Sequence, residues 1–236
     1  MRVTPERRVI AFDGDDTLWH HESLFTATHT EFRDLLARHA DLDAIDLDAR
    51  LVETERQNLR LYGYGIKGYT LSMVETAIGV TDGRVPAADI GKILDLGRAM
   101  LEHPLELIEG AREAVEALAG EEKWIITKGD LFDQEVKVAR SGLADLFARV
   151  EIVSEKDEAT YRRLLDRHAV SPARFTMVGN SIRSDILPVL RIGGRAIHVP
   201  YHVTWAHELV HETVAEDFPV LESLRDLPAL LMEGYR

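Results

Sequence analysis

Val9-Ile10-Ala11-Phe12-Asp13-Gly14-Asp15-Asp16-Thr17 is the stretch that decides how the rest of this 236-residue chain is read. Its four apolar residues, mostly β-branched or aromatic, predict a short buried strand. Asp13-Gly14-Asp15-Asp16 then breaks the strand with acids and a turn-forming glycine. Such a strand delivers carboxylates to its own C-terminal end, and in an open parallel sheet that end faces the crevice where ligands bind. Asp13 and Asp15 are two apart, so a continuing strand projects both to the same side, one placed to attack and one to handle protons. The Thr17 hydroxyl is expected to bond back to the turn and fix it.

From Pro104 onward, short apolar runs alternate with helical patterns. The runs are Trp124 to Thr127, Val150 to Val153, Phe175 to Gly179 and Ala196 to Val199, with helices expected near 110–119, 131–141, 157–168 and 184–191. Short Val/Ile/aromatic runs separated by helices predict right-handed βαβ units and a parallel sheet. Between the first strand and this region, helices are expected near 22–39, 48–62, 70–78 and 87–101, with no convincing strand. Gly63 to Tyr69, with three glycines around Lys67, reads as a loop. The predicted fold class is therefore α/β, a Rossmann-like parallel sheet core from residues 1–20 and 102–236 with an inserted four-helix cap over 21–101. The tail beyond Val203 reads as helical with breaks at Pro219 and Pro228.

The predicted strand ends carry chemistry. The second ends in Thr127-Lys128-Gly129-Asp130, a hydroxyl and a cation ahead of a helix start suited to holding an anion. The third is followed by Ser154-Glu155-Lys156, and the fourth by the polar loop Asn180-Ser181-Ile182-Arg183-Ser184-Asp185. Acids, hydroxyls and cations thus gather at corresponding ends of four strands.

These residues resemble the four motifs of the haloacid dehalogenase-like hydrolase superfamily: Asp13, Asp15 and Thr17; Thr127; Lys156; and Gly179 through Asp185. The resemblance implies a central first strand and a helical lid of the first cap type. It also implies a Mg²⁺-dependent phosphatase acting on a small phosphorylated metabolite. In that reading Asp13 attacks phosphorus to give an aspartyl-phosphate, and Asp15, which true dehalogenases lack, protonates the leaving alkoxide and then activates water. Thr127, Lys128 and Lys156 would bind phosphoryl oxygens. Asp13, the Asp15 carbonyl, Asp185 and Asn180 would hold the metal. Asn180 stands where many relatives have Asp, and Asp157 follows Lys156 where many have proline. Leaving-group contacts are expected from Lys67, flanked by Tyr64 and Tyr69, with Trp19 and His20 lining the entrance. Alternatives on the same scaffold are a non-catalytic or regulatory member, a phosphomutase, a phosphonate hydrolase using Lys67 as a Schiff-base lysine, and a dehalogenase.

Composition narrows the partners. With 41 acidic and 28 basic residues the chain carries a net charge of -13, which argues against nucleic acid or an anionic membrane surface. There is no cysteine, so disulfides and thiolate chemistry are excluded. Neither a signal-peptide pattern nor a membrane span of about 18 apolar residues is visible, and a cytoplasmic location is expected. One rival motif remains. His207-Glu208-Leu209-Val210-His211 matches the His-Glu-x-x-His pattern of zinc proteases, with Glu216 or Glu222 as a further ligand, although nothing else in the chain looks like a protease.

Overall fold

The computed structural model describes residues 8–42, 44–203, 208 and 216–233. It divides into two compact units, one from residues 1–22 and 105–236, the other from residues 23–104.

The first unit is built on β1 (Val9–Phe12), and every side chain of this strand is buried. Alternation assigns them to two faces: Ile10 and Phe12 enter one apolar cluster with Ile125, Val178 and Ile197, while Val9 and Ala11 enter another with Trp124, Ile126, Met177 and Ala196. A strand apolar on both faces belongs in the middle of a covered parallel sheet. The sheet is β2 (Glu122–Lys128), β3 (Arg149–Val153), β4 (Phe175–Gly179) and β5 (Arg195–His198) around β1, in the order β3-β2-β1-β4-β5. All pairs are parallel, and Phe12 stands beside Ile125 and Val178. The residues after Phe12, Ile126 and Val178 therefore lie at one end. β3 reads as a buried apolar run in sequence, but it is an edge strand whose first two residues are exposed, and its Arg149 and Glu151 guard that edge.

The second unit holds α1 (Glu22–Leu36), α2 (Leu47–Tyr62), α3 (Ile66–Val80) and α4 (Ala87–Glu102). Its core joins Phe32, Leu36, Leu51, Met73 and Ile93. The loop expected over Gly63 to Tyr69 is shorter in fact. Ile66, Tyr69, Met73 and Ala77 form one buried stripe at helical spacing, so the apolar face extends the third helix back to Ile66 and places Lys67 in its first turn, exposed.

The core helices are α5 (Ala111–Ala117), α6 (Leu131–Ser141), α7 (Glu158–Arg167), α8 (Leu187–Arg191) and α9 (Leu227–Met232). A single π-helical turn, Ile182–Ile186, leads into α8 and accounts for the early part of the helix expected from 184. Among the described residues no helix is long and apolar enough to cross a membrane.

Candidate active site

Asp13 is the first residue past β1, and its backbone N–H still bonds the Val178 carbonyl at 2.9 Å. The ladder thus holds the main chain while the side chain leaves the sheet. Asp13 Oδ1 accepts from Lys156 Nζ at 2.5 Å, and the same ammonium donates to Asp185 Oδ1 at 2.7 Å. Asp185 is fully buried, and its Oδ2 accepts the Ser181 backbone N–H at 3.0 Å. Gly179 permits this arrangement, since a Cβ there would lie 2.3 Å from Asp185 Oδ2. π-helical turns collect at functional positions because they re-aim a side chain, here Asp185. Asp157, the departure after Lys156, caps α7 by accepting from Thr160 N at 2.7 Å and so fixes the turn that delivers the lysine.

Two carboxylates here share one ammonium. Burial, reinforced by the Asp185 charge and only partly offset by Lys156, pushes the Asp13 carboxyl up to about 8. Burial alone would lower Lys156, but Asp13 and Asp185 outweigh it and hold the ammonium above its ordinary value. Asp13 Oδ2 has no hydrogen bond among the described residues. Thr127 Oγ1 is likewise buried without a partner. With both carboxyls ionised the cluster therefore has a surplus of negative charge, and it holds an unused hydroxyl.

Of the oxygen donors expected to hold a metal, the Asp13 and Asp185 carboxylates meet at Lys156, and the Asn180 amide oxygen accepts from Thr17 in the loop that carries Asp185. No three His, Asp or Glu residues converge in metal-holding geometry among the described residues. A divalent cation still fits this donor set, because two buried carboxylates with a single counter-ion leave a charge for it to neutralise.

The turn after Asp13 sends Asp15 to different surroundings, so the two acids do not share partners. Asp15 Oδ1 accepts from Trp19 Nε1 at 2.6 Å and Lys137 Nζ at 3.1 Å, while Oδ2 accepts from Gln134 Nε2 at 2.8 Å and Lys137 Nζ at 3.0 Å. His21 Nε2 lies 3.5 Å from Oδ2. Burial works to raise the Asp15 carboxyl, yet His21, Lys137, Gln134 and Trp19 together hold it well below the usual carboxylate range. His21 is itself pushed down to about 4 by burial. Asp16 adopts a left-handed φ of 59° and accepts the backbone N–H groups of His21 and Glu22 at 2.8 and 3.0 Å, which ties off the turn.

Several residues named from sequence stand elsewhere than expected. Trp19 is fully buried in the core and holds Asp15, so it does not line an entrance. His20 is exposed, with Nδ1 2.7 Å from Tyr201 Oη. The Thr17 hydroxyl reaches across to Asn180 Oδ1 at 3.4 Å instead of bonding back to its own turn. Lys128 Nζ pairs with Glu208 and lies 3.3 Å from Ser184 Oγ, so its ammonium is engaged by protein groups and not left open to a phosphoryl oxygen. Lys67 belongs to the helical unit. His207 and His211 lie outside the described residues, and Glu208 is given over to Lys128, Ser181 and Ser184. Sequence reasoning missed Gln134, Lys137 and His21. The signal available was the i, i+3 spacing of Gln134 and Lys137 on one face of α6, directly after the Thr127 strand end.

Comparison with known proteins agrees with this architecture. A family model described as haloacid dehalogenase-like hydrolase matches residues 7–193. A haloacid dehalogenase-like family hydrolase from Xanthomonas campestris is 42% identical, with a TM-score of 0.85 over 98% of this chain and 93% of that one. An L-2-haloacid dehalogenase from Xanthobacter autotrophicus with chloropropionic acid covalently bound is 17% identical, with a TM-score of 0.65 over 98% of this chain and 100% of that one. A predicted phosphoglycolate phosphatase from Haemophilus somnus is 17% identical, with a TM-score of 0.61 over 97% and 99% of the two chains. The two distant structures share the fold alone. No curated protein matches the chain.

Proposed function

Because the chain belongs to the haloacid dehalogenase-like hydrolase family, we propose that it is a phosphatase acting on a small phosphorylated metabolite. The observation that carries this reading is Asp15, a second, half-buried carboxylate two residues after Asp13. An alkoxide leaving group needs a proton and halide does not, so a residue able to deliver one suits phosphate esters.

Asp13 Oδ2, free of hydrogen bonds among the described residues, is the attacking oxygen. It forms a bond to phosphorus as the ester P–O bond breaks, giving an aspartyl-phosphate and an alcohol. Asp15 supplies the proton to the departing oxygen and then takes one from the water that attacks phosphorus in the second step. For the first of these steps Asp15, ionised among these donors, must give up its Lys137 contact and take up a proton from solvent, which it then passes to the leaving oxygen. The Thr127 hydroxyl, without a partner among the described residues, and the Lys156 ammonium are the donors for oxygens on which charge builds up. Mg²⁺, held by Asp13, Asp185, Asn180 and the Asp15 carbonyl, would neutralise charge between the attacking carboxylate and the phosphoryl group.

A second reading draws on the same Asp15. Four N–H contacts from three side chains already engage both its oxygens, an arrangement that favours a leaving group needing no proton, as in carbon–halogen hydrolysis. One experiment separates the two. Release of nitrophenol from p-nitrophenyl phosphate is followed with Mg²⁺, with chelator and with Asp13→Asn, beside chloride release from 2-chloropropionate. The phosphatase reading expects turnover of the phosphate that needs the metal and is lost in the variant. Chloride release without phosphate turnover overturns it in favour of the second reading, and a folded protein inactive on both, across a panel of small phosphorylated metabolites, overturns both.

A further inference from the structure

We infer that Glu208 is a positioning residue of this site, tying Lys128 at the end of β2 to the two serines of the β4 loop and thereby fixing Asp185. The inference rests on the hydrolase site described above and adds to it a residue that none of the four motifs contains.

Glu208 Oε2 accepts from Ser184 Oγ at 2.6 Å and from Ser181 Oγ, while Oε1 pairs with Lys128 Nζ. The Lys128 and Glu208 side chains are each only 13% exposed. A carboxylate so enclosed costs desolvation, and here one ammonium and two hydroxyls repay it. The contacts continue inward. Ser181 Oγ also accepts the Ser184 backbone N–H at 3.0 Å, and Ser181 N donates to Asp185 Oδ2 at 3.0 Å. Asp185 Oδ1 then meets Lys156, which meets Asp13. Four links therefore join Glu208 to the carboxylate proposed to attack.

The loop they cross is the π-helical turn Ile182–Ile186, a geometry that persists only when its surroundings hold it. Tyr161 Oη holds it from α7 by donating to the Ser184 carbonyl at 3.1 Å, and Glu208 holds it through the Ser184 hydroxyl. Lys128 gives the glutamate a second purpose. Without Glu208, the Lys128 ammonium would lose a close carboxylate and stand 3.3 Å from Ser184 Oγ, with Glu155 Oε1 at 3.6 Å. The His-Glu-x-x-His match is thereby given a different meaning, since a zinc-protease base needs its carboxylate free for water.

The test compares wild type, Glu208→Gln, Lys128→Met, the double variant and Ser184→Ala by two independent readouts. Hydrogen exchange of peptides spanning residues 179–187 reports the loop directly, without substrate. Turnover of p-nitrophenyl phosphate in Mg²⁺ reports the chemistry. In Glu208→Gln the loop amides are expected to exchange about 10-fold faster with peptides of β1 unaltered, and kcat to fall about 10- to 100-fold with KM nearly constant. The double variant should recover most of that loss, because the ammonium that lost its Glu208 carboxylate has gone as well. Unchanged loop exchange in Glu208→Gln overturns the inference, as does faster exchange with unchanged kcat. A double variant no better than Glu208→Gln removes the charge-pair part of it. If Glu208→Gln does not fold, Ser184→Ala breaks the same contact from the other side and is judged by the same two readouts. A wild type inactive on phosphate esters overturns the phosphatase reading, and the exchange arm then decides the Glu208 claim alone.

Discussion

Asp13 and Asp15 leave the same turn two residues apart and enter opposite electrostatic settings. Around Asp13, two carboxylates share the ammonium of Lys156, and among the described residues one carboxylate oxygen carries no hydrogen bond and the Thr127 hydroxyl has no partner. Around Asp15, Lys137, Gln134 and Trp19 engage both carboxylate oxygens, and Asp133, 3.4 Å from the Lys137 ammonium, shares that cation. His21 adds little charge at neutral pH, being pushed to about 4, so Lys137 is the compensating ion there. The first cluster is left incomplete in a way that a cation and an oxyanion would complete. The second is satisfied within the protein and must give up a contact to act. An open site binds and a closed one waits, and each prediction below attacks one side of that contrast.

The largest effect is expected from Lys156→Met. It removes the ammonium from between two buried acids, and breaking a buried ion pair costs about 3–5 kcal/mol. Loss of a donor to developing oxyanion charge should also lower kcat by about 10²- to 10³-fold. Denaturant unfolding and steady-state kinetics on the folded variant measure the two separately. Near-wild-type kcat would show that Lys156 merely screens Asp13 and Asp185.

Next comes the coupling of pH to metal. In chelator the Asp13 carboxyl, pushed up to about 8 by burial, holds its proton more tightly in the folded than in the unfolded chain. Its contribution to stability is therefore complete below the ordinary carboxylate value and is lost as pH rises toward 8. Bound Mg²⁺ favours the ionised form, so the rise in Tm on adding Mg²⁺ should be larger at pH 8 than at pH 5. At a hundredfold excess over Kd the stabilisation is about 2.7 kcal/mol. A Mg²⁺ effect equal at both pH values would break the claim that the Asp13 cluster is the incomplete one.

On the other side of the contrast, Lys137→Met removes the cation that helps hold Asp15 ionised. The carboxyl should rise, moving the acid limb of the pH–rate profile up by about 1–2 units. An unmoved limb would assign it to another group.

The two clusters also differ in how far the sequence discloses them. Asp13, Thr127, Lys156 and Asp185 each follow an apolar run of strand length or the loop after it, so a parallel sheet alone brings them to one end. The four helices of the second unit were equally plain from their periodicity, apart from the start of α3, where glycines masked a buried stripe beginning at Ile66. The Asp15 surroundings were not legible in this way. Gln134 and Lys137 look like the polar face of an ordinary amphipathic helix, and it is the docking of α6 beside the first turn that brings them to Asp15. Trp19 misleads for a similar reason, because proximity to Asp15 in sequence says nothing of whether the indole faces solvent or core. Glu208 was noticed for the wrong chemistry: a motif records spacing along the chain, while Lys128 and Ser184 lie 80 and 24 residues away.

The smallest expected effect tests Trp19 itself. Trp19→Phe keeps an aromatic ring in the core but deletes the Nε1–H bond to Asp15. A hydrogen bond to a charged group is worth about 1.5–3 kcal/mol, and the loss should fall near the lower end because Gln134 and Lys137 still serve the carboxylate. Packing sharpens the test. A Cβ on Gly14 would sit 2.6 Å from Trp19 Cζ2, so Gly14→Ala should destabilise the wild type through a clash with the indole. Phenylalanine lacks that atom, and the same alanine should then cost less, although Thr127 Oγ1 at 3.2 Å still limits the relief. A double-mutant cycle by denaturant unfolding should give a coupling of about 0.5–3 kcal/mol between Gly14 and Trp19. Additive costs would mean that the indole does not shape the turn, and that Asp15 owes its setting to α6 alone.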